Sequence, residues 1–113
     1  MAIPVLEIQA IEIKLRAFCD EVPLHVRDQL LHVYSINGHS IVLSEKRPHW
    51  QEPSVWIEMP VAKFRYVATE KQWHLFHQDR NLKWTGYQPL PKARKFDVLF
   101  EEVKSDPTCI FWG

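Results

Sequence analysis

The sequence predicts an α+β domain: an N-terminal helix, a four- to five-stranded antiparallel meander and a C-terminal helix, with both helices on one sheet face. Apolar residues recur at helical spacing near both ends, apolar and polar residues alternate in between, and an Asn-Gly pair joins two alternating runs. The chain has 113 residues, of which 46% are hydrophobic, and only 3 Gly. This size and composition predict a single globular domain, residues 1–113.

The first helix is predicted over residues 4–19. The apolar positions spaced as on one helical face are Ile8, Ile11, Leu15 and Phe18. A strand is the alternative, because Ile11, Ile13 and Leu15 also alternate. Pro4 suits a first helical turn and therefore favours the helix.

The middle of the chain predicts strands. Residues 29–36 and 40–46 alternate on either side of Asn37-Gly38, where a type I′ turn needs positive φ at both residues. Residues 47–53 contain two prolines and predict an irregular loop. Further strands are predicted at 55–58, 61–67, 73–77 and 83–87, with Pro60 separating the first two.

The second helix is predicted to begin near Ala93 and to end at Asp106-Pro107. Its narrow apolar stripe consists of Phe96, Leu99, Phe100 and Val103. The tail, residues 108–113, is too apolar to stay in solvent, so we expect it to pack back on the domain.

The charges are unevenly distributed although the net charge is zero. Residues 46–95 carry ten basic against four acidic side chains, a net charge of +6. Residues 1–45 carry three against six and residues 96–113 carry one against four, a net charge of −3 in each case. The predicted sheet is therefore basic and the helical ends are acidic.

Alternation places the basic side chains on one side of the sheet. If Phe64 and Tyr66 face the helices, Lys63 and Arg65 lie on the uncovered face, and Lys83 joins them from a neighbouring strand. With Arg80 from the same basic region, they form a candidate binding set, since basic and aromatic sheet faces bind single-stranded nucleic acid in several folds. The alternative is a set of solvated charges on the wet side of an antiparallel sheet.

The loop around Pro48 is a second candidate binding feature. Arg47, His49 and Trp50 lie between or beside two prolines, and such a preorganised patch is typical of interfaces. The alternative is that Trp50 covers the end of the core while Arg47 pairs with a carboxylate.

Known catalytic and metal-binding patterns are missing from the sequence, so we predict no catalytic residues, no metal and no cofactor. His74 and His77 are three apart and point to opposite sides of a strand, which prevents joint chelation. Cys19 and Cys109 form no Cys-x-x-Cys pair and are expected to be reduced and mostly buried, with a disulfide between them as the alternative. The first residues do not resemble a signal peptide and no run of 18 apolar residues is present, so we expect a cytoplasmic protein that does not enter membranes.

Several blocks together resemble a family of small, stand-alone bacterial proteins known only as a domain of unknown function. The blocks are VPLHVRDQL at 22–30, RPHW at 47–50, PVAKFRY at 60–66, DRNLKW at 79–84 and FWG at 111–113. The resemblance implies a bacterial single-domain protein and carries no activity. His74 and His77 depart from the hydroxyl-bearing and aromatic residues expected there, which further weakens a metal site.

These observations favour a non-enzymatic binding module with nucleic acid as the first ligand class and a protein partner as the next. A small enzyme or small-ligand protein is the alternative, with a cleft formed by His25, Arg27, Asp28 and the 47–50 loop. A homodimer formed through an open sheet edge or the aromatic loops is the third hypothesis.

Overall fold

The computed structural model describes residues 3–113 and contains two helices and a six-stranded antiparallel sheet. Its elements are α1 (Val5–Asp20), a 3₁₀ turn (Leu24–Val26), β1 (Leu31–Asn37), β2 (Ser40–Pro48), β3 (Trp56–Val67), β4 (Gln72–Gln78), β5 (Trp84–Gly86), β6 (Lys92–Ala93) and α2 (Phe96–Ser105). Strands β1 to β5 lie side by side in chain order, and β6 also pairs with β4. The predicted meander between two helices is confirmed.

Both helices cover the same face of the sheet, as predicted. Ile11 and Leu15 of α1 and the apolar stripe of α2 meet the inward side chains of β2, β3 and β4. Those inward side chains are Ile41, Leu43, Ala62, Phe64, Trp73 and Leu75. Phe64 and Trp73 are fully buried, and the Phe96 ring centre lies 4.7 Å and 5.4 Å from theirs. No helix within residues 3–113 covers the opposite face of the sheet.

The first hairpin turn differs by one residue from the prediction. Asn37 pairs with Ser40 as the last residue of β1, so Gly38 and His39 form the turn. Gly38 has a φ of +62°, whereas neither Asn37 nor His39 has positive φ. Glycine at the first central position is typical of a type II′ turn, so the predicted type I′ turn is wrong.

β3 is one strand of twelve residues and not two strands separated at Pro60. Leu43 pairs with Ala62 and Ser44 pairs with Pro60, so Val61 is an extra residue that forms a β-bulge. The prediction of a strand break at Pro60 is wrong, because a proline is tolerated in a strand where its missing N–H faces no hydrogen-bond partner.

α2 begins later than predicted. Lys92 and Ala93 form β6 beside His74 and Trp73, and the helix starts at Phe96. β5 pairs only with the last three residues of β4, so β6 supplies backbone partners along the rest of that edge.

The tail folds back on the domain, which confirms that prediction. Phe111 is 8% exposed and its ring centre lies 4.9 Å from that of Tyr87. The carboxylate of Asp106, just after α2, accepts the backbone N–H groups of Phe111 and Trp112 at 3.1 and 2.9 Å.

Both cysteines are free thiols, so the alternative disulfide is not formed. Cys109 is exposed and Cys19 is half-buried, and the expectation that both are mostly buried is therefore wrong for Cys109. Burial, and next the carboxylate of Asp20, raise the pKa of Cys19. No helix within residues 3–113 is both long and apolar enough to cross a membrane.

Candidate functional site

The uncovered face of the sheet brings cations and aromatic rings together. We call Lys63, Arg65, His74, Phe76, Trp84 and Lys92 the open face. Directly opposed residues of antiparallel strands share a face, and Lys63 opposes Phe76 while Arg65 opposes His74. Because Phe64 and Tyr66 pack toward the helices, Lys63 and Arg65 lie on the uncovered side, as the alternation predicted.

Lys63 lies between two aromatic rings. Its Nζ atom is 5.8 Å from the ring centre of Phe76 and 5.9 Å from that of Trp84, within the range of cation–π attraction. Gly86, opposite Phe76 on β5, has no side chain to cover the Phe76 ring. The arrangement holds a positive charge beside two π-faces on an accessible surface.

The two central cations of the open face are not neutralised by acids. Within residues 3–113, neither Lys63 nor Arg65 has a carboxylate at ion-pair distance, and Arg65 is exposed. Arg65 also borders a shallow cavity of about 370 Å³ that it shares with His39 and the end of β3. An anionic ligand would therefore find cations that need not first leave a partner.

A small ion-pair cluster forms one border of the open face. The Glu70 carboxylate lies 2.9 Å from Nε2 of His74 and 3.8 Å from Nζ of Lys92. The hydrogen bond from His74 is the main cause that lowers the pKa of Glu70. This glutamate balances part of the border and leaves the centre basic.

The turn between β4 and β5 presents Arg80 and Lys83. The Asp79 carboxylate accepts the backbone N–H groups of Asn81 and Lys83 at 2.8 and 3.0 Å, and this fixes the turn. Both basic side chains are exposed, and within the described residues neither has a carboxylate at ion-pair distance. Arg80 and Lys83 therefore lie outside the strands, and the prediction that Lys83 joins Lys63 from a neighbouring strand is wrong.

The predicted 47–50 loop is remote from the open face, and its first two residues, Arg47 and Pro48, form the end of β2 and not an irregular loop. Trp56, which pairs with Pro48, is seven residues from Lys63 along β3, or roughly 23 Å at strand rise. Arg47 pairs with Glu45, and His49 Nδ1 accepts the backbone N–H groups of Gln51 and Glu52 at 3.1 and 3.3 Å. Trp50 is 82% exposed, so the alternative in which it covers the core is wrong.

The residues proposed for a cleft have different roles in the structure. The Arg27 guanidinium donates to the carbonyls of Val22 and Asp20 at 2.8 and 2.9 Å and so satisfies an acceptor at the end of α1. His25 and Asp28 are exposed on the surface. A cavity of about 260 Å³ nearby is lined by Phe18, Glu21, Val22, Pro23, Leu30 and His32.

Sequence reasoning missed Phe76, Trp84, His74 and Lys92 as members of the open face. The signal was available for the first of them, because Phe76 alternates with the buried residues Trp73 and Leu75. To place Trp84 and Lys92 on the open face, one needs to know how their strands pair with β4, and no local sequence pattern gives this register. Within residues 3–113, no three His, Cys, Asp or Glu side chains are grouped so that they could hold a metal ion.

Comparison with known proteins adds a family and no activity. Residues 3–113 match the model of a family described as a domain of unknown function (DUF3024). Neither a curated protein nor a solved structure matches the chain.

Proposed function

Because the chain belongs to the DUF3024 family, whose function is unknown, we propose from the geometry that it binds single-stranded nucleic acid on the open face. The observation that carries this proposal is the position of Lys63 between Phe76 and Trp84, with the exposed Arg65 on the same strand. Bases stack on aromatic side chains and phosphates meet cations, which is the combination that single strands require.

The charge distribution supports the same face. The helical layer on the other side of the sheet carries acids of α1 and α2, and its groove of about 300 Å³ includes Glu21, Asp97 and Glu101. Lys14 and Lys104 in this groove pair with Asp97 and Glu101. A polyanion would therefore be repelled from the helices and attracted to the sheet.

The first experiment is fluorescence anisotropy with labelled single- and double-stranded DNA and RNA at about 50 and about 200 mM salt. We expect single strands to bind, with an affinity that falls by about tenfold or more between the two salt concentrations for a few phosphate contacts. Absence of binding to every probe at the lower salt would refute the proposal.

Charge reversal tests which face is used. Lys63→Glu with Arg65→Glu should remove most of the binding. If two contacts to a single strand are lost, the slope of log affinity against log salt concentration should become smaller in magnitude by about 1.4 than for the natural protein. The matched control is Lys14→Glu with Lys104→Glu, which changes the net charge equally on the helical side. Equal losses in both variants would indicate a general charge effect and would contradict the assignment to the open face.

A further substitution tests stacking. Trp84→Ala removes one ring beside Lys63 without changing the charge, and the loss of one stacked base predicts about tenfold weaker binding. The control is Trp50→Ala, because Trp50 is also exposed but lies far from the open face. If Trp84→Ala binds like the natural protein, Trp84 does not stack on the ligand and its proposed role is wrong.

A further inference from the structure

The outer halves of β2 and β3 form a two-stranded extension, residues 45–60, which we call the arm. β4 pairs with β3 only from Ala62 onward, so between Trp56 and Pro60 no strand within residues 3–113 pairs with the outer edge of β3. The edge is nevertheless apolar: Val55, Trp56, Ile57 and Met59 are 47%, 37%, 41% and 60% exposed. An unprotected apolar edge is the type of surface to which another strand adds.

The backbone polarity of this edge follows from one hydrogen bond. The N–H of His49 donates to the carbonyl of Val55 at 2.7 Å, and Arg47 pairs with Ile57 in the same register. Odd-numbered residues of this segment therefore turn their N–H and C=O groups toward β2, because such groups alternate along a strand. Trp56, Glu58 and Pro60 turn theirs outward, and the missing N–H of Pro60 accordingly breaks no bond within the arm.

We propose that the arm pairs edge to edge with the arm of a second copy of this chain, antiparallel about a two-fold axis at Ile57. In this register Trp56 lies opposite Glu58 of the second copy, and the two residues exchange both of their outward hydrogen bonds. By symmetry, Glu58 lies opposite Trp56 of the second copy, and this pair exchanges two equivalent hydrogen bonds. Ile57 meets its own equivalent, and Val55 meets Met59 on the same face.

Self-complementarity is the reason to choose a second copy over another peptide. Each Glu58 lies opposite a tryptophan in this register and keeps its own Lys46 at 3.8 Å. A register shifted to centre on Glu58 would instead oppose the two glutamates. Pro60 lies opposite Ser54, which belongs to the turn before β3, so the two-fold pair ends before this position, whereas a longer foreign strand would meet the missing N–H of Pro60.

This inference is independent of the proposed function, since Ile57 at the centre of the pairing lies roughly 20 Å along β3 from Lys63. The two-fold axis would nevertheless place both open faces on the same side of one continuous sheet, because opposed residues share a face.

Sedimentation equilibrium between about 5 and 500 μM tests the assembly. We expect the natural protein to shift from monomer to dimer and Ile57→Lys to remain a monomer, because two lysines would meet at the axis. The matched control is Ile13→Lys on the outer side of α1, where Ile13 is 67% exposed. The proposal would be overturned if the natural protein is a monomer at every concentration. It would also be overturned if Ile13→Lys dissociates the dimer and Ile57→Lys does not.

Disulfide trapping tests the register without depending on affinity. In a background with Cys19→Ala and Cys109→Ser, Ile57→Cys places two thiols at a non-hydrogen-bonded pair, where Cα atoms about 4.5 Å apart fit a disulfide. Oxidised glutathione should convert this variant to a covalent dimer. Met59→Cys is more exposed but faces Val55 of the second copy, so it should react much less, and faster trapping at position 59 would contradict the register.

Discussion

His32 is a histidine held among aromatic rings. Its ring centre lies 5.0 Å from that of Phe18 and 4.8 Å from that of Trp112, and within residues 3–113 its buried Nδ1 atom has no hydrogen-bond partner. Burial is the main cause that lowers the pKa of His32, while Glu45 and Glu21 oppose this shift and Arg47 adds to it. The folded protein therefore favours the neutral ring.

The first prediction is a loss of stability in acid that depends on His32. Because its pKa is lower in the folded state than the unfolded value of about 6.5, the unfolded state binds the proton more readily, and stability falls as pH drops below about 6.5. Unfolding in urea at pH 7.5 and 5.5 measures the effect. His32→Phe keeps the stacking, should be more stable by about 1 kcal/mol at pH 5.5 and should show a smaller pH dependence. An unchanged pH dependence would assign the acid effect to other groups.

Single residues show how far the sequence predicts the site. Lys63 and Arg65 were predicted on the uncovered face because Phe64 and Tyr66 alternate with them over an unbroken stretch of β3. Trp84 lies in a strand of only three residues, where periodicity carries little information. Its position beside Lys63 depends on the pairing of Gln78 with Trp84, which is a long-range property of the sheet.

Asp106 is the residue through which α2 ends and the tail is fixed. It has a left-handed φ of +46°, which costs energy for a residue with a Cβ atom, and its carboxylate accepts two backbone N–H groups of the tail. The Trp112 indole N–H also donates to the Val103 carbonyl at 2.9 Å, one of the acceptors that a helix end leaves open.

The second prediction concerns this helix end. Asp106→Ala should lower the free energy of unfolding by about 2 kcal/mol, because it removes two hydrogen bonds to a charged acceptor and keeps the backbone strain. Asp106→Gly also lacks the two hydrogen bonds but relieves the backbone strain, so it should be about 1 kcal/mol more stable than Asp106→Ala. Asp106→Asn keeps an acceptor and should lose least. Urea unfolding ranks the three variants, and an Asp106→Ala variant as stable as the natural protein would show that the hydrogen bonds to the tail contribute nothing.

The elements show where local patterns end and pairing begins. Both helices and the strands with clear alternation were predicted, because their apolar spacing is a property of the segment itself. β3 continues through Pro60 because Val61 is an extra residue opposite the step from Leu43 to Ser44. β6 pairs with Trp73 and His74, on the part of the β4 edge that β5 does not reach. Neither feature has a local sequence signal.

At the scale of the molecule, the fold separates two surfaces of different character. The helices bury one sheet face and carry acids outward, while the other face holds Lys63 beside two aromatic rings with no carboxylate of residues 3–113 at ion-pair distance. The arm extends the sheet along its strands and contributes to an elongated shape of 46 × 30 × 24 Å. The protein therefore has a basic open face although its net charge is zero, and a dimer joined through the arms would place two open faces side by side.

The last prediction combines these two surfaces. If two open faces lie on one side of a paired sheet, a single strand of about 40 nucleotides can bind both, and the linked second contact should make the natural protein bind this strand at least tenfold more tightly than a variant with separate faces. Ile57→Lys should bind the short strand like the natural protein and lose the gain on the long strand, because the faces are then separate. Lys63→Glu with Arg65→Glu should lose binding to both lengths yet still dimerise. Anisotropy with both lengths, together with sedimentation of each variant, separates the outcomes. Equal binding of the long strand by Ile57→Lys and the natural protein would contradict pairing through the arms. Undiminished binding by Lys63→Glu with Arg65→Glu would contradict the open face as the binding site.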